Sequence, residues 1–116
     1  MISVTATFFS LLARSGYYRE GYKIARHKIG STDDSVNWKE YWKKNHRQKQ
    51  NIPLELYRCP SCLMLKDDIV GGHIVVDDKT YIIPVCRECN SKYKGQNARE
   101  FAFYVKEEDM VRAPED

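Results

Sequence analysis

The sequence predicts an α+β fold in two parts, a β-rich C-terminal module and a basic, mainly helical segment before it. Three observations predict this. All four cysteines of the 116 residues fall into two Cys-x-x-Cys pairs, Cys59-Pro60-Ser61-Cys62 and Cys86-Arg87-Glu88-Cys89. Between the pairs, two β-branched runs flank the turn sequence Asp77-Asp78-Lys79. Ahead of them, aromatic residues recur at helical spacing among lysines. The expected organisation is a helical segment over residues 1–50, the module over 51–106 and an acidic tail over 107–116, all in one compact domain.

Residues 2–7 alternate as a strand does, while residues 8–13 are continuously apolar and fit either a buried helix or a strand. Tyr18, Tyr22, Ala25 and Ile29 then fall on one helical face, with Arg19, Lys23 and Arg26 on another. A helix is therefore expected from about residue 17 to 28, ended by Gly30. The polar tract Ser31-Thr32-Asp33-Asp34-Ser35 suits a loop that caps the next helix. In residues 36–48, Trp38, Tyr41, Trp42 and Asn45 recur at i, i+3, i+4 and i+7, with Lys39, Lys43, Lys44 and Arg47 on the remaining surface. Large aromatics carry so much burial energy that the stripe is expected to be core, packed on the module. The cations are expected in solvent, and Lys39, Lys43, Lys44 and Arg47 are the candidate contacts to nucleic acid. His27 and His46 sit among cations and are expected at the surface.

Pro53 breaks this helix, and Leu54-Glu55-Leu56-Tyr57 leads into the first cysteine pair as a short strand. Two Cys-x-x-Cys pairs supply the four thiolates of a closed, tetrahedral structural Zn²⁺ site, with Cys59, Cys62, Cys86 and Cys89 as ligands. Disulfides are disfavoured without an export signal, and a redox role for one pair leaves the other unexplained. The binding free energy of such a metal becomes folding free energy. Leu63, Met64 and Leu65 give the knuckle an apolar tip that is expected to pack on something. Residues 71–85 read as a hairpin with His73 near the start of its first strand and Pro84 ending its second. Residues 86–94 read as a short helix closed by Gly95. Knuckle, hairpin and helix in that order describe a treble-clef zinc site. Residues 101–105 alternate and are expected to add a third strand, whereas the acidic end is expected to fray.

The net charge of +3 is unevenly spread: residues 1–50 carry +6 and residues 51–116 carry −3, so the N-terminal half is the part suited to a polyanion. No run of 18 apolar residues exists, which excludes a membrane-spanning helix. The apolar start lacks the basic region and the cleavage site of a signal peptide, and cysteines arranged as metal ligands point to the cytosol.

The knuckle cysteines Cys59 and Cys62, the histidine of Gly71-Gly72-His73-Ile74, and the closing run Ile83-Pro84-Val85-Cys86-Arg87-Glu88-Cys89-Asn90 together resemble the HNH, or His-Me finger, nucleases. The resemblance covers roughly residues 57 to 95, with a looser similarity in Trp38-Lys39-Glu40-Tyr41-Trp42. It implies that His73 activates water against a phosphodiester and that Asn90 helps to hold a catalytic Mg²⁺ or Mn²⁺. Two positions depart from the family pattern: Gly72 stands where an Asp or His ligand usually precedes the base, and Asn90 where a second histidine is common. Mg²⁺ binds poorly without a carboxylate. The expectation is therefore an HNH-like zinc protein that binds nucleic acid or a protein partner, with weak or no catalysis. The alternative is a divalent-metal-dependent endonuclease with His73 as general base.

Overall fold

The structure, a computed structural model, describes residues 20–28, 35–46, 52–92 and 101–114. In chain order its elements are β1 (Tyr22–His27), α1 (Trp38–Asn45), β2 (Tyr57–Arg58), β3 (Leu65–Lys66), β4 (Ile69–Val76), β5 (Lys79–Cys86), α2 (Arg87–Lys92), β6 (Ala102–Lys106), a 3-10 turn (Glu107–Asp109) and β7 (Val111–Arg112). Over the described residues it is a mixed α/β fold, mostly strands, with two helices.

The β-branched runs form the expected hairpin, and their pairing is unbroken from Ile69 opposite Cys86 to Val76 opposite Lys79. Asp77 and Asp78 make a two-residue turn, both at positive φ (51° and 65°), which suits the twist of a hairpin and is tolerated best by Asn, Asp and Gly. The first strand starts at Ile69, so His73 lies mid-strand rather than near its start. Pro84 does not end β5. It pairs opposite Gly71, beyond the stretch where β7 pairs with Tyr81 and Ile82, so β5 is already an edge and the missing N–H breaks no ladder there.

The five-stranded sheet runs β6-β1-β4-β5-β7, and a separate two-stranded ribbon is made by β2 and β3. The helix expected over residues 17–28 is corrected here: Tyr22–His27 is a central strand, paired to β4 on one side and β6 on the other. Its inward residues are Ala25 and His27, with Ile24 and Arg26 outward, a period of two that the helical spacing of Tyr22 and Ala25 had hidden. Cross-strand pairing on both edges overrides the weak helical preference. Residues 101–105 do contribute a strand, but it lies against β1 rather than beside the β4–β5 hairpin.

Helix α1 forms where the aromatic stripe predicts it. Its cap is Asn37, whose side chain accepts from the Glu40 N–H at 3.1 Å, in place of the serine-rich tract upstream. The helix lies on β4 and β5. Trp42 is 1% exposed and Trp38 is half-buried, while Lys43 and Lys44 are exposed and Lys39 is half-buried. The approach is close: a Cβ on Gly71 would sit 2.6 Å from the Lys39 backbone nitrogen, so only glycine fits beneath the helix.

The acidic end does not fray over its described part. Val111 and Ala113 are buried, and Ala113 N–H donates to Thr80 O at 3.0 Å. The 3-10 turn is tied down by the Trp42 indole, which donates to Asp109 O at 2.6 Å, and by the Tyr57 hydroxyl, which donates to the Asp109 carboxylate at 3.4 Å. Burial and then the adjacent Asp109 push the Tyr57 phenol well above its usual value, and burial likewise raises Asp109. Residues 2–13, Arg47 and the expected Gly95 cap lie outside the described residues.

Candidate metal centre

The β2–β3 ribbon carries the first cysteine pair. Leu63 N–H donates to Cys59 O at 2.7 Å and Cys59 N–H to Met64 O at 2.9 Å, which closes the chain into a tight loop. The loop requires φ of 66° at Leu63, a left-handed conformation unusual for a branched side chain. The Arg58 guanidinium donates to Leu63 O at 2.8 Å and braces the loop from below. Against expectation, the tip is largely exposed: Leu63, Met64 and Leu65 are 65%, 60% and 53% exposed.

The second pair sits where β5 passes into α2. Arg87 N–H donates to Asp68 O at 3.0 Å, fixing the start of the helix against the lead-in to β4. This places Cys86 at the strand end and Cys89 one turn on. The four sulfurs lie within 4.8 Å of one another, with Cys62 Sγ 4.0 Å from Cys86 Sγ. A tetrahedral ion at about 2.3 Å from each sulfur would set them about 3.8 Å apart, so the donor set fits one metal ion. None of the four is disulfide-bonded.

Backbone N–H groups already point at the sulfurs. Cys86 N–H donates to Cys59 Sγ and Cys89 N–H to Cys86 Sγ, each at 3.4 Å, and the Met64 backbone serves Cys62. Such bonds favour thiolate over thiol. Burial opposes ionisation at Cys62, but the Met64 backbone bond and the hydrogen bonds of the other three cysteines outweigh it and bring its pKa below the usual thiol value. At Cys86 and Cys89 burial dominates and pushes the thiols up. Four thiols in this space cannot all ionise without a cation among them, and a dication relieves that repulsion.

His27 is the residue that sequence reasoning misplaced most. It is 4% exposed, not a surface residue, and its ring lies against Phe103 at 4.8 Å. Burial lowers its pKa to about 4. Its Nε2 is 2.9 Å from the Oγ of Ser61, the serine inside the first cysteine pair, which also bonds Cys89. The signals available in the sequence were the alternation of Ala25 with His27 and a polar residue between two ligands. His46 is half-buried and stacked on Trp42 at 4.5 Å.

His73 and Asn90 are not brought together as a metal-binding pair. Neighbouring residues of a strand point to opposite faces. Gly71 lies under α1, and His73 meets Trp38 edge-on at 4.5 Å on that side. Gly72 faces the other way, toward α2, where a Cβ would meet Val85 Cγ2 at 2.5 Å and Asn90 Oδ1 at 3.1 Å. Among the described residues, the four cysteines are the one group of three or more His, Cys, Asp and Glu side chains placed to hold an ion, so Asp67, Asp68, Asp77 and Asp78 build no second one. No described helix is long and apolar enough to cross a membrane.

No family model, no curated protein and no solved structure matches this chain.

Proposed function

We propose that this chain is an HNH-like treble-clef zinc module that acts by binding nucleic acid rather than by hydrolysing it. The order of its parts supports the fold reading: a cysteine-bearing ribbon, a hairpin, and a short helix that carries the last ligand. Four thiolates favour a soft or borderline ion, and Zn²⁺ is the one that takes such a set as a closed structural site. A closed site has no open position at which to activate water.

The observation that carries the non-catalytic reading is the packing at Gly72. In the nucleases it resembles, that position supplies a hard ligand to the catalytic ion. Here the space such a side chain needs is filled by Val85 and Asn90. Asn90 offers a neutral amide oxygen, and a site without carboxylates is a poor competitor for the hydration shell of Mg²⁺. Lys43 and Lys44 stand in solvent on α1, in the half of the chain that carries the positive charge, and they supply the surface for a polyanion.

Fluorescence polarisation of labelled single- and double-stranded oligonucleotides against the zinc-loaded chain tests this. Binding should weaken steeply with salt, and Lys43→Ala with Lys44→Ala should reduce it without loss of fold. No cleavage is expected with Mg²⁺ or Mn²⁺ added. Cleavage that disappears in His73→Ala while the fold survives would establish the endonuclease reading instead, with His73 as general base.

A protein partner is the second reading, and one observation favours it. Leu56, Leu63, Met64 and Leu65 are all more than half exposed around the knuckle, an apolar cluster of the kind that marks interaction sites. Absence of oligonucleotide binding at low salt would favour this reading over the first.

A further inference from the structure

Three of the four sulfurs take hydrogen bonds from backbone N–H groups, those of Cys86, Cys89 and Met64. At Cys89 the donor is a side chain. Ser61, 7% exposed, bonds the Cys89 sulfur and also lies 2.9 Å from His27 Nε2. His27 belongs to β1, far from the ligands in sequence, and is held on its other flank by Phe101 and Phe103 with ring centroids 6.3 Å and 4.8 Å away.

Proton counting orients this chain. A metal-bound thiolate can only accept, so Ser61 must give its single hydroxyl proton to Cys89 Sγ. Ser61 Oγ then has lone pairs to offer and no proton left, so His27 must donate to it from Nε2–H. We propose that His27 is a positioning residue of the metal centre, acting through Ser61 to hold the Cys89 thiolate, in the chain His27 Nε2–H to Ser61 Oγ–H to Cys89 Sγ. The proposal rests on the reading of the four cysteines as a metal site. Partners behind the ligands orient them and slow their release, and losing one commonly costs 10- to 100-fold in metal affinity. Here that support comes from the central strand, so β1 is coupled to the metal through two side chains that substitution can remove. The backbone donors at the other sulfurs cannot be removed that way.

The test uses the full chain loaded with zinc and follows release to a chromophoric chelator. Ser61→Ala and His27→Phe should each speed release by about 10-fold. The double variant should be no faster than either single one, because both break the same chain. Ser61→Thr, which keeps the hydroxyl, should restore the parent rate. Two readouts separate positioning from general loosening. Imidazole ¹⁵N spectra of the loaded protein should show His27 as the Nε2–H tautomer, and the ¹¹³Cd resonance of the cadmium-substituted protein should move in Ser61→Ala. An Nδ1–H tautomer, or a parent-like release rate in Ser61→Ala, would overturn the proposal, and both remain measurable if His27→Phe does not fold. A parent chain that binds no zinc overturns the metal reading beneath it, which is a different result from zinc bound and released at an unchanged rate.

Discussion

Two regions of the β4–β5 hairpin have been put to different use. At its open end, the cysteines gather with backbone amides, Ser61 and His27 arranged around their sulfurs. Nearer its middle, His73 is met by the edge of Trp38 and the strand is overlaid by a helix so close that Gly71 leaves no room for a side chain. One region has polar groups converging on a point where an ion can sit, and the other has aromatic packing. A histidine on a hairpin is therefore not enough to mark a reactive site; what converges on it decides.

The sharpest way to break this contrast is to remove the proposed metal. Cys86→Ser, or chelation of the parent chain at pH 7, should abolish the cooperative unfolding transition of the β-rich half. Structural zinc contributes roughly 10 kcal/mol or more in small modules. Thermal unfolding followed by circular dichroism reads this directly, and an unchanged transition after complete metal loss would place the stability elsewhere.

Under the helix, Trp42→Ala should cost about 3 to 5 kcal/mol, since it empties a site that is 1% exposed and removes the indole donor from the Asp109 carbonyl. Lys44→Ala, on the exposed side of the same helix, should stay within about 0.5 kcal/mol. Chemical denaturation of both variants measures the difference. Equal losses would mean that the helix surface, not its buried stripe, holds it down.

A more gradual effect is a pH dependence that belongs to the surroundings of the cysteines. His27 titrates at about 4 in the folded chain against 6.5 when unfolded, so between those values the unfolded chain binds the extra proton. Stability from this residue is fully present above 6.5 and is lost as the pH falls toward 4, by about 3 kcal/mol in all. Denaturation midpoints over that range should fall less steeply in His27→Phe than in the parent.

The cysteine cluster was legible because ligand spacing is a local property: Cys59 and Cys62 approach one ion through the few residues between them, whatever the rest does. Helix α1 was legible for the same reason, its stripe and its basic flank lying within eight residues. What could not be read depends on distant partners. Tyr22–His27 is a strand because Val75 and Ala102 both lie beside Arg26, and nothing near β1 in the sequence says so. The order of residues 107–114 depends on the Trp42 indole and the Tyr57 hydroxyl. His27 is buried by the same long-range pairing, which turned an apparent surface histidine into part of the cysteine cluster's surroundings.

The place of β1 in the sheet has a consequence for the order in which the molecule is made. It is synthesised before all of its pairing partners, with β4 well downstream and β6 near the end of the chain. At ribosomal rates of about 5 to 20 residues per second, roughly 4 to 16 seconds separate completion of β1 from completion of β6. Throughout that interval at least one edge of the strand has no partner. The hairpin and both cysteine pairs are made before β6, and β7 after it, so the strand made first gains its second partner only once most of the described residues have been made.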